Sequence, residues 1–100
     1  MKVILTEPAE ADLEDIADFI AQDNAARAES FVAEIIERCL SLGEAPERHV
    51  VYARVLHQDI RRCPYGAYLI FYAVEGDNVE ITRVIHGARD YARILFPEED

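Results

Sequence analysis

The residues best suited to chemistry in this sequence are arginines, a histidine and a tyrosine in its second half. Arg61, Arg62 and Arg83 could offset the charge that develops on a phosphate, which an RNA-cleaving site requires. Such a site also needs a base for the 2′-hydroxyl and an acid for the leaving oxygen. Because arginine stays protonated and is a poor general base, proton transfer would depend on His86 or Tyr91.

Other chemistries lack their characteristic patterns. His49, His57 and His86 show no ligand spacing with acids or cysteines, so we predict no metal site. None of the four glycines forms a phosphate-binding loop, and no cofactor is expected. Cys39 and Cys63 cannot build a disulfide framework and are predicted to be small core residues or free thiols.

The net charge of −10 is unevenly distributed along the chain. Residues 1–47 hold three basic and twelve acidic side chains, a net −9, and include Lys2, the only lysine of the sequence. Residues 48–100 hold seven arginines and eight acids, a net −1, with three of those acids at 98–100. Because nucleic-acid affinity comes from neutralising phosphates, this charge argues against general nucleic-acid binding. It leaves room for one arginine-bearing patch that meets a protein.

Length and composition fit a single globular domain over residues 1–100. Apolar residues make up 51% and charged residues 30% of the chain, which is ordinary for a folded protein. The first apolar run, Val3–Leu5, is too short for a signal peptide or a membrane span. A cytoplasmic location is therefore expected.

The first half predicts a strand followed by two helices. Lys2–Leu5 is the strand, and Thr6 is a helix N-cap followed by acids and a proline in the first turn. Asn24 caps a second apolar-faced helix, which Gly43 ends. Residues 7–43 should then form an antiparallel hairpin of helices. The apolar face of the first helix is Leu13, Ile16, Ala17 and Ile20, and the opposite, solvent face is Asp12, Glu14, Asp15 and Asp18.

The second half predicts strands. Residues 49–57 are interpreted as a loop leading into a strand at 60–64, followed by a strand at 68–74 and a partner at 79–86. A short tail at 90–96 could be helical. The result is an α+β fold of order β-α-α-β-β-β, with the helical hairpin packed on one face of a largely antiparallel sheet.

The strand at 68–74 is apolar on both faces, as a central, covered strand would be. The helical hairpin can cover only one face of the sheet. No remaining element is long enough to cover the other, so an external partner is expected there.

Two stretches resemble the ParE/RelE family of toxins. The first is the run of residues 5–13, Leu-Thr-Glu-Pro-Ala-Glu-Ala-Asp-Leu. The second combines Ile60-Arg61-Arg62, the Tyr-Leu-Ile-Phe-Tyr run at 68–72 and the segment at 81–90, whose Arg-Val-Ile-His-Gly-Ala-Arg-Asp ending is similar to the ParE branch in particular. The resemblance covers roughly residues 3–92 and includes element order and total length.

This resemblance implies the toxin of a bacterial type II toxin–antitoxin system, of the kind associated with plasmid stabilization. It would be neutralised in a hetero-oligomer by a cognate antitoxin, of a ParD-like ribbon-helix-helix type. ParE-type members poison DNA gyrase, whereas RelE-type members cut mRNA on the ribosome. The missing sheet lysines and the acidic net charge favour the gyrase poison. A RelE-type endonuclease and a degenerate, non-toxic antitoxin-binding module remain the alternatives, and no catalytic residue is assigned.

The segment after the last strand is expected to meet the target. Local structural roles stay open: Arg83 could pair with Asp59 or Glu80, and Arg89 with Asp90. The candidates for target contact are Arg83, His86, Arg89, Asp90 and Tyr91.

A second set of residues is expected to meet the antitoxin, which would cover the groove of the helical hairpin and the sheet edge beside it. The arginines would receive acidic antitoxin side chains at the rim. The candidates are Arg61, Arg62, Tyr65, Tyr68 and Tyr72.

Overall fold

A computed structural model describes residues 1–97 of the chain. Within this range no helix is long and apolar enough to cross a membrane. The tail at 98–100, which contributes three acidic charges to the count above, lies outside the described residues. The elements in chain order are β1 (Lys2–Leu5), α1 (Glu7–Ala21), α2 (Ala25–Ser41), β2 (Val51–Val55), β3 (Gln58–Tyr65), β4 (Tyr68–Glu75), β5 (Asn78–His86) and α3 (Tyr91–Leu95).

The fold class is α+β, as the sequence predicts, and the five strands form one sheet in the order β1-β5-β4-β3-β2. Strand β1 runs parallel to β5, and the other neighbours are antiparallel. Strand β2 is an addition to the predicted order, because it lies where a loop was expected. Its hairpin with β3 turns at Leu56 and His57, whose φ angles are 51° and 69°. Left-handed turn positions usually carry Asn, Asp or Gly, so this turn gave no signal in the sequence.

The helical hairpin forms as predicted and lies against the sheet. The Thr6 side chain accepts a hydrogen bond from the Ala9 amide, and Asn24 caps α2 through the Arg27 amide. Gly43 follows the end of α2, where a Cβ would lie 2.3 Å from the Met1 carbonyl oxygen. Glycine is required there because α2 ends against the start of β1.

The core between the helices and the sheet holds the predicted apolar stripes. Cys39 and Cys63 are free and fully buried in it, as expected. Burial raises the pKa of the Cys39 thiol to about 12 and also raises that of Cys63. The buried residues of this core are Ala9, Leu13, Ile16, Ile35, Cys39, Leu42, Cys63, Ile70, Tyr72, Val79, Ile81 and Val84.

Asp12 does not lie on the solvent face of α1; that prediction is wrong. Its residue exposure is 8%, and its carboxylate receives the Arg83 Nε and Nη2 at 2.7 and 2.9 Å and the Val84 amide at 2.8 Å. Strand β1 ends at Leu5, opposite Ile81, so beyond Ile81 the edge of β5 that faces away from β4 has no strand beside it. The carboxylate of Asp12 takes the place of a strand partner at this edge, which a count of helical periodicity cannot reveal.

A β-bulge in β5 determines the face of the sheet on which Arg83 lies. Phe71 of β4 is opposite Arg83 and Tyr72 is opposite Ile81, so Thr82 is the extra residue. The alternation of side chains therefore shifts by one at this point. Arg83 therefore does not lie on the same face as Ile81. It pairs with Asp12, and not with Asp59 or Glu80, the two partners that the sequence left open.

The second face of the sheet is partly covered by the chain itself, contrary to expectation. Phe71 and Ile85 are 0% and 1% exposed although they lie outside the helix-side core. The Tyr52 and Tyr91 rings lie 5.5 Å from the Phe71 ring, and Phe96 stacks on Tyr52. The bulge at Tyr52 in β2 and the short helix α3 bring these aromatic groups together. These aromatic residues are far apart in the sequence, so their packing could not be predicted from it.

Replacing Asp12 with Asn should reduce the free energy of unfolding by about 2–3 kcal/mol, because the partly buried Arg83 guanidinium would lose its charged partner. Urea unfolding followed by circular dichroism measures the change. Asp15→Asn is the matched control, because Asp15 is an exposed acid three residues further along α1. It should change the free energy of unfolding by less than about 0.5 kcal/mol. Equal losses in the two variants would show that the ion pair contributes no more than a surface charge.

Candidate partner-binding site

Arg62 and Tyr91, which the sequence assigned to different surfaces, are in contact. The Arg62 Nη1 donates a hydrogen bond of 3.2 Å to the Tyr91 hydroxyl, and its guanidinium lies 5.3 Å above the Tyr52 ring. The Tyr52 and Tyr91 rings meet edge to face at 5.6 Å. The guanidinium thus packs on the Tyr52 ring, and a cation–π interaction helps to hold it in place.

An open depression of about 600 Å³ lies beside this cluster. Arg48 and His49 reach it from the loop before β2, and Tyr68 and Leu69 reach it from the start of β4. None of the described residues that line it is acidic, although the chain as a whole carries −10. The depression is therefore a local cationic site on an acidic protein. We call it the Arg62–Tyr91 pocket.

His49, which lines this pocket, is partly buried and close to two arginines. Burial lowers the pKa of its imidazole, and the positive charges of Arg38 and Arg48 lower it further. The backbone carbonyl of His49 also accepts a hydrogen bond of 2.7 Å from Arg61. Burial is the larger cause of the lowered pKa, and the two guanidinium groups add a smaller effect in the same direction.

A second, more apolar groove of about 360 Å³ lies between α1 and the end of β5. Ile16 and Phe19 of α1 line one side, and Phe19 is 65% exposed. His86 and Arg89 line the other, together with Tyr68, whose ring meets the His86 ring at 5.1 Å. We call this the Phe19 groove. It presents an apolar floor with the exposed Arg89 and Asp15 at its edge.

The local roles of the C-terminal candidates are now defined. His86 Nδ1 accepts the Ala88 amide at 3.0 Å, so this histidine shapes the turn after β5. Asp90 is the N-cap of α3 and accepts from the Arg93 amide. Within the described residues it forms no ion pair with Arg89. Arg89 is exposed at the turn.

The five target-contact candidates therefore separate into two places. His86 and Arg89 line the Phe19 groove, whereas Tyr91 lines the Arg62–Tyr91 pocket. Arg83 is held by Asp12, and Asp90 caps a helix. The two proton-transfer candidates, His86 and Tyr91, do not share a pocket.

The antitoxin-contact candidates are divided between the faces of the sheet. Arg61 is opposite Tyr72 and Arg62 is opposite Phe71, so the two arginines point to opposite sides. Arg61 donates to the Glu47 and His49 carbonyls and fastens the loop before β2. The expectation of one rim formed by both arginines is wrong, because neighbouring residues of a strand alternate.

The three tyrosines of that set have different surroundings. Tyr72 is fully buried, and its hydroxyl donates to the Pro46 carbonyl at 2.7 Å, so it is a core residue with no surface to offer. Tyr65 is half-buried and donates to Glu34 at 2.7 Å, which raises the pKa of the phenol. Tyr65 and Tyr68 both pack against the Phe31 ring. Only these two retain exposed surface at this side.

The sequence analysis did not identify Arg48, His49 and Tyr52 as residues of this site. They lie in the segment interpreted as a loop, where nothing in the residue pattern links them to Arg62 or Tyr91. The one available signal is the Arg48-His49 pair directly before the β-branched run at 50–51. Within residues 1–97 no cluster of His, Cys, Asp and Glu is placed to hold a metal ion.

Replacing Tyr91 with Ala should destabilise the chain by about 1–2 kcal/mol, because the aromatic cover over Phe71 would be lost. Tyr91→Phe keeps the ring and removes only the hydrogen bond from Arg62, so its cost should be below about 1 kcal/mol. Urea unfolding of both variants separates the two contributions. An equal loss in both would assign the stabilisation to the hydroxyl and not to the packing of the ring.

Comparison with known proteins gives one family and one fold. The family model described as "ParE toxin of type II toxin-antitoxin system, parDE" matches residues 3–91. A solved chain of the "Chromosomal ParDE TA system from P. aeruginosa" is similar in fold, with a TM-score of 0.71 and 20% identity over 86% of this chain and 95% of that chain. No curated protein matches the sequence. Because the family model spans most of the chain, this protein belongs to the ParE toxin family of type II toxin–antitoxin systems.

Proposed function

We propose that this protein poisons DNA gyrase by binding to it, and that a cognate ParD-like antitoxin neutralises it. The observation that carries the proposal is the family match over residues 3–91, which includes the whole C-terminal segment from Arg83 to Tyr91. In that segment Arg89 is exposed at the rim of the Phe19 groove. An apolar floor with an arginine at its edge is typical of protein interfaces.

Charge supports a protein target over RNA. The chain carries a net charge of −10. Of the three sheet arginines that the sequence suggested for a phosphate, Arg61, Arg62 and Arg83, two are bound by other groups of the chain. Arg83 is bound by Asp12, and Arg61 is bound by the carbonyls of Glu47 and His49. An RNA-cleaving site needs its cations aimed at the reacting phosphate. Contact with a protein surface needs only an exposed arginine such as Arg89 beside the apolar floor of the Phe19 groove.

The helical hairpin supports a second interface, for the antitoxin. A groove of about 400 Å³ runs between α1 and α2 and reaches β1 at Leu5. Its floor is apolar, and an amphipathic helix of the antitoxin could lie in it. The acidic residues Glu10 and Glu14 at its rim favour basic or neutral side chains on that helix. The residues of the floor are Leu5, Leu13, Ala17, Val32 and Ile36.

One observation favours the ribonuclease alternative. The Arg62–Tyr91 contact places a guanidinium beside a phenol in a pocket that also holds His49. Tyrosine is one of the side chains that can act as a general acid or base. This alternative makes a different prediction in cells, because ribosome-dependent cleavage would stop translation directly.

Inducing the protein without its antitoxin should produce filamentous cells, a DNA-damage response and covalent gyrase–DNA complexes, with protein synthesis initially intact. Recovery of gyrase-linked DNA from lysed cells and pulse-labelling of new protein measure the two effects together. Immediate arrest of synthesis with mRNA cut at ribosome-occupied codons, abolished by Tyr91→Phe, would assign the chain to the ribonuclease alternative. Antitoxin binding without growth inhibition would identify a degenerate module.

Arg89→Ala should raise the inducer level required for growth inhibition about tenfold, because arginine is among the interface side chains whose truncation often costs more than about 1 kcal/mol. The folded state should be unaffected, since no described residue accepts a hydrogen bond from the Arg89 side chain. Arg54→Ala removes an equal charge from β2, where Arg54 pairs with Asp59, and is the control. Antitoxin affinity should change little in either variant. Loss of antitoxin binding with full toxicity in Arg89→Ala would reverse the assignment of the two surfaces.

A further inference from the structure

We propose that the Arg62–Tyr91 pocket binds carboxylate side chains of an extended acidic segment in the antitoxin. The inference rests on the proposed function in one respect, the existence of a protein antitoxin. It adds the chemistry of one contact and a mechanism of neutralisation. Occupation of the pocket would cover Tyr91, so the antitoxin would shield part of the C-terminal segment directly.

The Arg62 guanidinium is held in place and, among residues 1–97, keeps free donors. A guanidinium has five N–H donors, and in the described part of the chain Arg62 uses Nη1 on the Tyr91 hydroxyl. The Tyr52 ring, 5.3 Å away, holds the plane of the group without using a donor. The remaining donors are thus fixed in direction before any partner arrives. A carboxylate matches such a pre-organised fork in shape and charge.

The walls of the pocket carry positive charge. Arg48 lines the same pocket, its side chain is exposed, and among residues 1–97 it has no acidic partner within salt-bridge distance. By contrast, three other arginines of the chain, Arg27, Arg54 and Arg83, are each paired with an acid. Arg48 and Arg62 are left as cations around one depression. Positive charges of this kind attract an anionic group and fix its register.

The net charge of the chain favours a peptide over a nucleic acid as the occupant of the pocket. A nucleic acid would bring many phosphates against a chain whose net charge is −10, and its affinity depends on neutralising several of them. A peptide brings one or two carboxylates and can turn its other side chains to the apolar wall. Tyr68, Leu69 and Pro64 supply that wall. The pocket therefore fits an acidic segment that also carries apolar side chains.

The test is a titration of the full-length, ¹⁵N-labelled chain with a capped eight-residue peptide of alternating Asp and Leu. The same peptide with Asn in place of Asp is the neutral control, and an oligouridylate of eight nucleotides is the nucleic-acid control. NMR signals of the arginine Nε–H groups and of the Tyr91 amide locate the binding. We expect the acidic peptide to shift Arg48, Arg62 and Tyr91, the neutral peptide to bind at least tenfold more weakly, and added salt to weaken binding.

Variants complete the experiment. Arg48→Gln leaves the aromatic cluster intact and should weaken acidic-peptide binding about threefold to tenfold, whereas Arg54→Gln should leave it unchanged. Arg62→Gln should have the larger effect, and its circular dichroism spectrum shows whether the fold persists. Equal binding of both peptides, equal losses in Arg48→Gln and Arg54→Gln, or tighter binding of the oligouridylate at these signals would overturn the proposal. The gyrase assay uses no peptide, so failure here and failure of the proposed function are separate results.

Discussion

The carboxylate of Asp12 is the contact on which the arrangement of this fold depends. It joins α1 to β5 across 71 and 72 residues of sequence by accepting two N–H groups of Arg83 and the Val84 amide. Strand β1 is too short to cover the whole edge of β5, and an open edge would leave backbone groups unpaired. One buried side chain resolves this and fixes α1 beside the sheet. Thr6 supports the same junction, since its hydroxyl donates to the Ile81 carbonyl while its oxygen caps α1.

This junction determines what the C-terminal half can do. Arg83 is committed to Asp12, and Arg61 to the loop before β2, so neither is free to act on a substrate. The bulge at Thr82 sends Arg83 off the helix-side face and leaves Val84 on it. The strand then ends at His86, and the chain returns across the second face through Tyr91. Arg62, on that face, meets Tyr91 because the returning segment must pass over Phe71.

The surfaces that remain accessible differ in chemistry, and this difference follows from the uneven distribution of charge. The helical hairpin presents an apolar groove with acidic rims, and the Phe19 groove presents an apolar floor with Arg89 at its edge. The Arg62–Tyr91 pocket is cationic and has no acidic lining among the residues described. A small toxin that must meet both an antitoxin and a target can do so with surfaces of this kind. The Tyr91 segment lies where two of them approach each other, between Arg62 and the turn that holds Arg89.

The sequence by itself determined the elements that depend on local signals. Thr6 and Asn24 identify the helix starts, and the apolar spacing of both helices identifies their buried faces because helical periodicity is regular. The residues at 81–90 carry the resemblance to the ParE branch, and the family model confirms the family over residues 3–91. The α+β class follows from these elements in order.

Only the tertiary structure decided which side chains meet. Asp12 looked solvent-facing because helical periodicity places it opposite the apolar stripe, but the open edge of β5 needed an acceptor there. Strand β2 was hidden because its turn uses Leu56 and His57 where Asn-Gly would be typical. Arg61 and Arg62 separated because strand neighbours point to opposite faces, and Tyr72 fell in the core for the same reason. The contact of Arg62 with Tyr91 joins residues 29 apart, and no local propensity encodes a distance of that kind.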